Sequence, residues 1–191
     1  MTRCGWVENT FDQYIAYHDQ EWGVPVHDDY KHFESLTLES AQSGLSWATI
    51  LRKRGGYREA FADFDFEKVA SFDQVKYEEL LLNPAIIRNK LKIAATINNA
   101  QKFLEVIEEF GSFDNYIWRF VDGKPIVSHW KDHKVAPGKS ALSDQISKDL
   151  KKRGFKFVGS TTIYSQLEAT GLMNNHIVSC FRHQEIINSY K

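Results

Sequence analysis

Apolar residues recur at intervals of three and four along most of this chain, the spacing that places them on one face of an α-helix. The longest such stretch, residues 86–110, carries Ile93, Ile97 and Leu104 on one stripe. No stretch alternates apolar and polar residues for long enough to predict a β-strand. The pattern predicts an all-α or mostly α fold, with helices over residues 30–51 (broken near Gly44), 57–61, 66–72, 77–82, 86–110 and 113–121.

The ends of these helices coincide with residues that start or stop helices. Asp65 is a predicted N-cap for the segment that follows it. The residue before Pro84 avoids the helical region of backbone space, and Gly111 is suited to close the long helix. Residues 124–139 show no helical period and are predicted to form a surface loop.

A helix–hairpin–helix element is predicted over residues 143–171. Gly154 is placed to take the left-handed conformation after the first helix, and Ser160 or Thr161 can cap the second. Backbone N–H groups at the start of the second helix can bind a phosphate, and nearby lysines add attraction to nucleic acid. An ordinary helical hairpin with a solvated basic end is the alternative. The candidate DNA-contacting residues are Gly154, Gly159, Lys151, Lys152 and Lys156.

The overall composition narrows the class of protein. The chain has 191 residues, 42% of them hydrophobic, and a formal net charge of −1. These values suit one compact unit over residues 1–191 and do not suit a protein that coats nucleic acid with positive charge. No apolar run approaches the roughly 20 residues that cross a bilayer, and the N-terminus lacks the apolar stretch of a secretion signal. We therefore expect a cytoplasmic monomer with no membrane contact.

The chain has two cysteines, and each has a histidine near it in sequence. Cys4 is followed by His18, and Cys180 is preceded by His176, so that on a helix the second pair would share one face. Two sulfur and two nitrogen donors are a ligand set that tetrahedral Zn²⁺ prefers, and such an ion would tie the two chain ends together. Two buried cysteines that act as small apolar side chains are the alternative. A disulfide is disfavoured in a reducing compartment.

A second group of residues combines aromatic side chains with one carboxylate. An aromatic slot with an acidic group can stack a flat, electron-poor ring and accept hydrogen bonds from its N–H groups. A cationic ring gains further from the π faces. The alternative is that the same side chains fill a core, as aromatic residues often do. The candidates are Trp6, Tyr14, Tyr17, Trp22, Glu39 and Trp47.

Four stretches of the sequence together resemble the 3-methyladenine DNA glycosylase I family, which belongs to the helix-hairpin-helix glycosylase superfamily. The first stretch pairs Arg3-Cys4-Gly5-Trp6 with residues 17–25 (YHDQEWGVP). The others are Leu38-Glu39 with residues 44–47 (GLSW), residues 150–159 (LKKRGFKFVG), and Gly171-Leu172 with His176 and Cys180. Together they span residues 3–180, which is nearly the whole chain.

This resemblance implies a helix-hairpin-helix glycosylase fold in which two lobes surround a base pocket. A structural zinc would tie together the chain ends, residues 1–22 and 172–185. The implied enzyme flips 3-methyladenine out of alkylated duplex DNA and releases it as the free base. The implied zinc ligands are Cys4, His18, His176 and Cys180. The implied base-binding residues are Glu39, Tyr17 and Trp47, with Trp6, Tyr14 and Trp22 lining the pocket.

The implied reaction is hydrolysis that leaves an abasic site without cutting the strand. Most members of the superfamily carry an Asp after the second hairpin helix, whereas this chain has none after Asp149. Alkylation at N3 already makes adenine a good leaving group, so Glu39 is better interpreted as recognising the base than as a proven general base. The second hairpin helix starts with residues 160–162 (STT), without the lysine nucleophile of bifunctional relatives.

Two other functions fit parts of the pattern. A non-catalytic module, stapled by zinc, that binds DNA or modified bases would explain the hairpin, the metal ligands and the pocket without any chemistry. A catalytic zinc hydrolase fits poorly, because four protein ligands leave no open position for water.

Leu45 is a candidate wedge that holds the duplex open when the base leaves it. Gly44 permits a backbone turn that would project the next side chain outward, beside Glu39 and Trp47. An apolar side chain there could fill the gap in the base stack. A buried core position is the alternative, because leucine is among the most often buried residues.

Overall fold

The computed structural model describes residues 1–190, which form ten α-helices, short 3₁₀ turns and one parallel pair of two-residue strands. The predicted mostly α fold is confirmed. None of the helices in this range combines the length and the apolar character that crossing a membrane needs. The helices are α1 (Asp12–Gln20), α2 (Asp29–Gln42), α3 (Trp47–Ala60), α4 (Phe66–Ala70), α5 (Gln74–Leu82), α6 (Lys90–Phe110), α7 (Phe113–Trp118), α8 (Ala141–Lys152), α9 (Ser160–Ala169) and α10 (Phe181–Ser189). The strands are β1 (Ile126–Val127) and β2 (Met173–Asn174).

Helix α2 lies at the centre of the helical core, in contact with α3, α6, α7 and α9. Its fully buried Phe33 packs edge-on against Phe103 of α6, with ring centroids 5.4 Å apart. Phe103 in turn stacks on Phe113 of α7 at 4.1 Å. Each such buried side chain contributes about 1.5–3 kcal/mol to folding. This packing fixes α2 and, with it, the position of Glu39 on the same helix.

Helices α8 and α9 pack against each other and form the predicted hairpin. Gly154 has φ +94°, which confirms its left-handed conformation after the first helix. The predicted caps of the second helix are wrong, because Gly159 is the N-cap and makes no side-chain hydrogen bond. Ser160 is already helical, and its hydroxyl lies 2.8 Å from that of Ser143 on α8. The two serine hydroxyls therefore link α8 to α9, and neither of them caps the start of α9.

Several helix boundaries differ from the prediction. Asp65 caps α4 as predicted, by accepting a hydrogen bond from the Lys68 N–H. Helix α3 begins after its N-cap Ser46 and is continuous where a break between residues 51 and 57 was predicted. Helix α6 begins after Asn89, later than predicted, because this side chain accepts from the backbone N–H three residues on. Helices α1 and α10 and the short strands were not predicted.

The two ends of the chain meet in a second, smaller cluster of buried residues. The backbone N–H of Phe181 donates to the carbonyl of Thr2 at 3.0 Å. The idea that His176 and Cys180 share a helical face is wrong, because the residues between them form a turn and Cys180 is the N-cap of α10. The fully or nearly buried members of the cluster are Cys4, Tyr17, Trp22, Leu51, Ile177 and Cys180.

Candidate active site and metal-binding cluster

A cavity of about 290 Å³ lies beside α2, α3 and α9. The structure brings to its walls every member of the aromatic–acidic group that the sequence singled out. Residues 133 and 136–138, from the predicted loop, line another part of the cavity. The six members are Trp6, Tyr14, Tyr17, Trp22, Glu39 and Trp47.

The aromatic walls come from separate elements whose rings contact one another. Tyr17 of α1 and Trp47, the first residue of α3, have ring centroids 5.2 Å apart. Trp6, in the 3₁₀ turn near the N-terminus, packs edge-on against Trp22 at 5.0 Å and lies 5.4 Å from Tyr14. Rings held in this way form a rigid slot of the kind that stacks a flat heterocycle.

Glu39 is an unusual carboxylate, because it is 5% exposed and makes no ion pair within residues 1–190. Its Oε2 atom is buried and has no hydrogen-bond partner among these residues, and the same holds for Nε1 of Trp47. Burial, and then the nearby charge of Glu168, raise the pKa of Glu39 to about 8. A buried polar atom without a hydrogen-bond partner costs free energy, and a polar ligand that bonds to these two atoms would recover that cost.

Tyr17 supplies the opposite kind of group. Its side chain is nearly buried, and burial, followed by the charge of Glu39, raises the pKa of the Tyr17 phenol well above its usual value. The phenol therefore keeps its proton at neutral pH and can donate a hydrogen bond. The pocket thus combines a hydrogen-bond acceptor, a hydrogen-bond donor and aromatic faces.

The sequence patterns did not predict one wall of the pocket. Thr161, Tyr164, Ser165 and Glu168 of α9 all line the cavity. Their spacing of three, four and seven residues defines one helical face, so the signal was present in the sequence. The other three residues of this face are polar, while Tyr164 also belongs to the main core together with Ile163 and Leu167.

The two Cys/His pairs come together in one buried cluster at the chain ends. Their four ligand atoms all lie within 4.8 Å of one another, close enough to bind a metal ion. Sγ of Cys180 lies 3.6 Å from Nε2 of His18 and 3.4 Å from Nδ1 of His176. Sγ of Cys4 lies 3.6 Å from the same His176 atom.

The second nitrogen of each imidazole is held by a partner outside the cluster. Nδ1 of His18 lies 2.7 Å from Oδ1 of Asp19, whose carboxylate also binds Arg3. Nε2 of His176 lies 2.9 Å from the carbonyl of Trp22. Such outer partners orient metal-binding histidines, so the residues present fit a metal with two thiolate and two imidazole ligands.

The two thiols are coupled to each other. The contact between the two thiols lowers the pKa of Cys180 and raises the pKa of Cys4. One thiolate is thus favoured even without an ion, and both must lose their protons when a metal binds.

The predicted DNA-contacting residues lie at the surface of the hairpin and beside the pocket. Lys151, Lys152 and Lys156 are exposed. Leu45 is 40% exposed and follows Gly44, whose φ is +76°. A buried core position for Leu45 is therefore wrong.

Another cavity, of about 310 Å³, extends to the turn before α3 and shares several lining residues with the pocket. It runs from Leu45 along Gln42 to Glu39 and to the start of α9. The turn itself is closed by a hydrogen bond of 2.6 Å from the Leu45 N–H to the Gln42 carbonyl. This arrangement places an exposed apolar side chain beside the aromatic pocket.

Comparison with known proteins accounts for this combination of hairpin, aromatic slot and Cys/His cluster. Residues 6–183 match the family model of methyladenine glycosylases. The chain belongs to this family. The resemblance that the sequence motifs indicated is thereby confirmed.

Relatives within the methyladenine glycosylase family match over almost the full chain. DNA-3-methyladenine glycosylase 1 of Escherichia coli (strain K12) is 46% identical over 180 residues, which are 94% of this chain and 96% of that protein. A crystal structure of 3-methyladenine DNA glycosylase I has a TM-score of 0.91 at 46% identity and covers 95% of this chain and 100% of its own. A structure of the Staphylococcus aureus enzyme, solved to explain 3-methyladenine recognition, has a TM-score of 0.92 at 38% identity. It covers 96% of this chain and 97% of its own.

Proposed function

We propose that this chain is a DNA repair glycosylase that excises 3-methyladenine from alkylated duplex DNA by hydrolysis, leaving an abasic site with the strand intact. Its membership of the methyladenine glycosylase family supports the activity. The observation that supports this substrate is the buried Oε2 atom of Glu39. It lies in an aromatic slot and has no hydrogen-bond partner among residues 1–190. A structure of a related enzyme is described as a complex with 3-methyladenine.

The base enters the slot as a flipped-out nucleotide, because its glycosidic bond is inaccessible inside the duplex. Tyr17 and Trp47 stack against the ring, and Trp6, Tyr14 and Trp22 complete the walls. Glu39 accepts a hydrogen bond from the exocyclic amino group of adenine. Guanine presents a carbonyl at the same position, which a carboxylate repels. A ring made cationic by alkylation gains further from the aromatic faces.

Bond cleavage relies mainly on the leaving group. The electron pair of the N-glycosidic bond passes to the positively charged base, which leaves as a neutral molecule, and water adds to the sugar carbon and releases one proton to the solvent. Within this scheme Glu39 recognises the base and stabilises its charge. The absence of a lysine in residues 160–162 agrees with hydrolysis without strand cleavage.

We also propose that Cys4, His18, His176 and Cys180 hold one structural Zn²⁺. Such an ion contributes folding free energy by tying residues 1–22 to residues 172–185. It would also fix the pocket walls, because Trp6 contacts the His18 ring and the Trp22 carbonyl binds His176.

The DNA contacts are proposed from exposure and charge. Lys151, Lys152 and Lys156, with the backbone at Gly154 and Gly159, contact phosphates, and Leu45 fills the space left by the flipped base. The chain acts as one glycosylase unit over residues 1–191, with the hairpin at 143–171, and we propose that it works as a monomer in the cytoplasm.

The decisive experiment incubates the protein with methylated duplex DNA and separates the released bases by chromatography. We expect 3-methyladenine to appear well above the level of a protein-free control, with little 7-methylguanine. The strand should break only after alkali opens the abasic sites. No release above the control would favour the non-catalytic binding module instead.

A further inference from the structure

The base pocket contains a second carboxylate that the proposed mechanism does not use. Glu168 of α9 lines the cavity together with Glu39 of α2, and these two helices pack against each other. Its charge is, after burial, the second cause of the raised pKa of Glu39. The two acidic groups therefore lie close enough to influence each other within one pocket.

Glu168 is held in place through one of its two oxygens. Nδ2 of Asn175 donates to its Oε1 at 2.7 Å and to the hydroxyl of Tyr164 at 2.8 Å. Oδ1 of Asn175 accepts from the indole N–H of Trp130 at 3.3 Å, which fixes the amide. Within residues 1–190 no side chain binds Oε2 of Glu168, so this oxygen is available to a ligand in the cavity.

No positive charge compensates the two carboxylates. Neither Glu39 nor Glu168 forms an ion pair with Lys, Arg or His among residues 1–190. The remaining titratable side chains that face the cavity are three tyrosines, which are neutral acids, and His133 of the loop. Arg54 and Glu21, whose charges act on Tyr17 but which do not line the cavity, bind each other. The tyrosines are Tyr14, Tyr17 and Tyr164.

We propose that Glu168 is a second specificity-determining residue, which faces the flipped base together with Glu39 and makes the pocket select purines that carry a positive charge. The inference deepens the proposed function and rests on it. A cationic ring placed between two carboxylates compensates both charges, and Oε2 of Glu168 can accept a hydrogen bond from it. A neutral purine gains nothing from such a pair, so the pocket favours the cationic alkylated base over undamaged adenine.

The electrostatics of the free pocket support this division of roles. Burial raises the pKa of Glu168 to about 7, against the opposing effect of the Asn175 hydrogen bond. Burial and the charge of Glu168 both oppose ionisation of Glu39, whereas a cation between the two carboxyl groups favours the ionised form of each. Ionisation of the pair is thus linked to the charge of the base.

The test compares single-turnover excision of 3-methyladenine from methylated duplex DNA, at enzyme below saturation, from about pH 5 to about pH 9. Glu168→Gln keeps the shape and the Asn175 contact but removes the charge. We expect its plateau rate to fall about tenfold or more, as for other lost partners of a charged group. The acidic limb of its profile should move to lower pH, because Glu39 loses the like charge that raises its pKa.

Three further variants complete the design. Glu168→Asp keeps a negative charge in the pocket, so its acidic limb should stay near the wild-type position while its rate falls. Glu108→Gln makes the same charge change on an exposed face of α6 and should leave the profile unchanged. Glu168→Ala removes the carboxylate without an amide and should move the limb as Glu168→Gln does. Melting curves establish that each variant is folded.

The outcomes distinguish a failure of the proposed function from a failure of the role inferred for Glu168. If wild-type protein releases no base, the proposed function fails. If wild-type protein is active and Glu168→Gln matches it at every pH, the inference is overturned. A loss by the same factor at every pH, with the acidic limb unmoved, shows a structural role for Glu168 and also overturns it. If Glu168→Gln does not fold, an unmoved limb in Glu168→Ala decides against the inference.

Discussion

Sγ of Cys4 lies 3.6 Å from Nδ1 of His176, although 172 positions of the chain separate the two residues. Cys180 and His18 make the corresponding contact at the same distance. Four buried donors from both chain ends therefore converge on one point. Polar side chains gathered in the interior need partners for their polar atoms. The four donors are close enough to bind a metal ion.

We predict one tightly bound Zn²⁺ per chain in protein purified without chelator. Cys180→Ala should lose the metal and a large part of its thermal stability together, because structural zinc contributes folding free energy directly. Metal analysis by mass spectrometry and thermal melting measure the two effects. His183→Gln, which changes a buried histidine outside the cluster, is the matched control and should retain the ion. Wild-type protein that contains no zinc would contradict the prediction.

The role of Glu39 in base recognition can be measured with the free base. Glu39→Gln replaces one acceptor oxygen by an amide donor and removes the charge. We expect the affinity for 3-methyladenine to fall by about 1.5–3 kcal/mol, which is typical of lost hydrogen bonds to charged groups. Calorimetric titration gives this value, with Glu108→Gln as a control for the loss of one negative charge. An affinity equal to that of the wild type would remove Glu39 from the recognition of the base.

The same substitution predicts a pH-dependent gain in stability. The pKa of Glu39 rises from 4.5 to about 8 in the folded chain, first because of burial and then because of Glu168. Between these values the folded state holds a proton that the unfolded state has released, so the contribution of Glu39 to stability falls as pH rises. Glu39→Gln cannot ionise and is exempt from this loss.

The expected result is a melting temperature of Glu39→Gln that exceeds that of the wild type near pH 8 and approaches it near pH 5. Calorimetric or fluorescence melting at several pH values provides the measurement. Glu108→Gln should show no such trend, because its side chain is exposed. A constant difference across this range would mean that Glu39 is already ionised in the folded protein.

The sequence predicted those features that depend on local patterns. The period of three and four residues gave the mostly α fold, and glycine spacing gave the turn at Gly154. The two Cys/His pairs and the aromatic–acidic group were found from the chemistry of their side chains. Their convergence on one cluster and one cavity is a property of the tertiary structure, which spacing alone could not establish.

The features that were missed depend on contacts distant in sequence. A break between residues 51 and 57 was predicted, yet α3 continues through Gly56, which lies against another part of the chain. A Cβ atom there would lie 2.5 Å from the carbonyl oxygen of Ala85, so the glycine serves packing rather than a turn. Strands β1 and β2 have two residues each, too few to alternate. Glu168 was missed because the spacing of polar residues along α9 defines a helical face but does not show which cavity that face lines.

The hairpin is predicted to anchor DNA without recognising its sequence. Lys152 and Lys156 are exposed at one end of it, where phosphate contacts position the protein but carry no base code. Lys152→Ala combined with Lys156→Ala should weaken binding to every duplex and make its salt dependence shallower by about 0.9 per lost phosphate contact. Fluorescence anisotropy at several salt concentrations measures both. Lys76→Ala, on α5 away from the hairpin, is the control; an unchanged slope in the double variant would exclude the hairpin as the anchor.

Leu45 is predicted to act on the duplex rather than on the fold. A core leucine would cost about 2–5 kcal/mol when truncated to alanine, but a surface position costs within about 0.5 kcal/mol. Leu45 is 40% exposed and lines the same cavity as Glu39. Leu45→Ala should therefore have a melting temperature close to that of the wild type. Its excision from duplex DNA should slow, while its binding of free 3-methyladenine should not change.

Single-turnover excision from duplex DNA, thermal melting and free-base titration together test this role. Leu82→Ala, which truncates a leucine that is 78% exposed on α5, should leave all three measurements unchanged. The wedge also predicts that Leu45→Ala loses less activity on a mismatched duplex than on a fully paired one, because a base that is already unstacked costs less to flip. Equal losses on both substrates would show that Leu45 assists some step other than opening the stack.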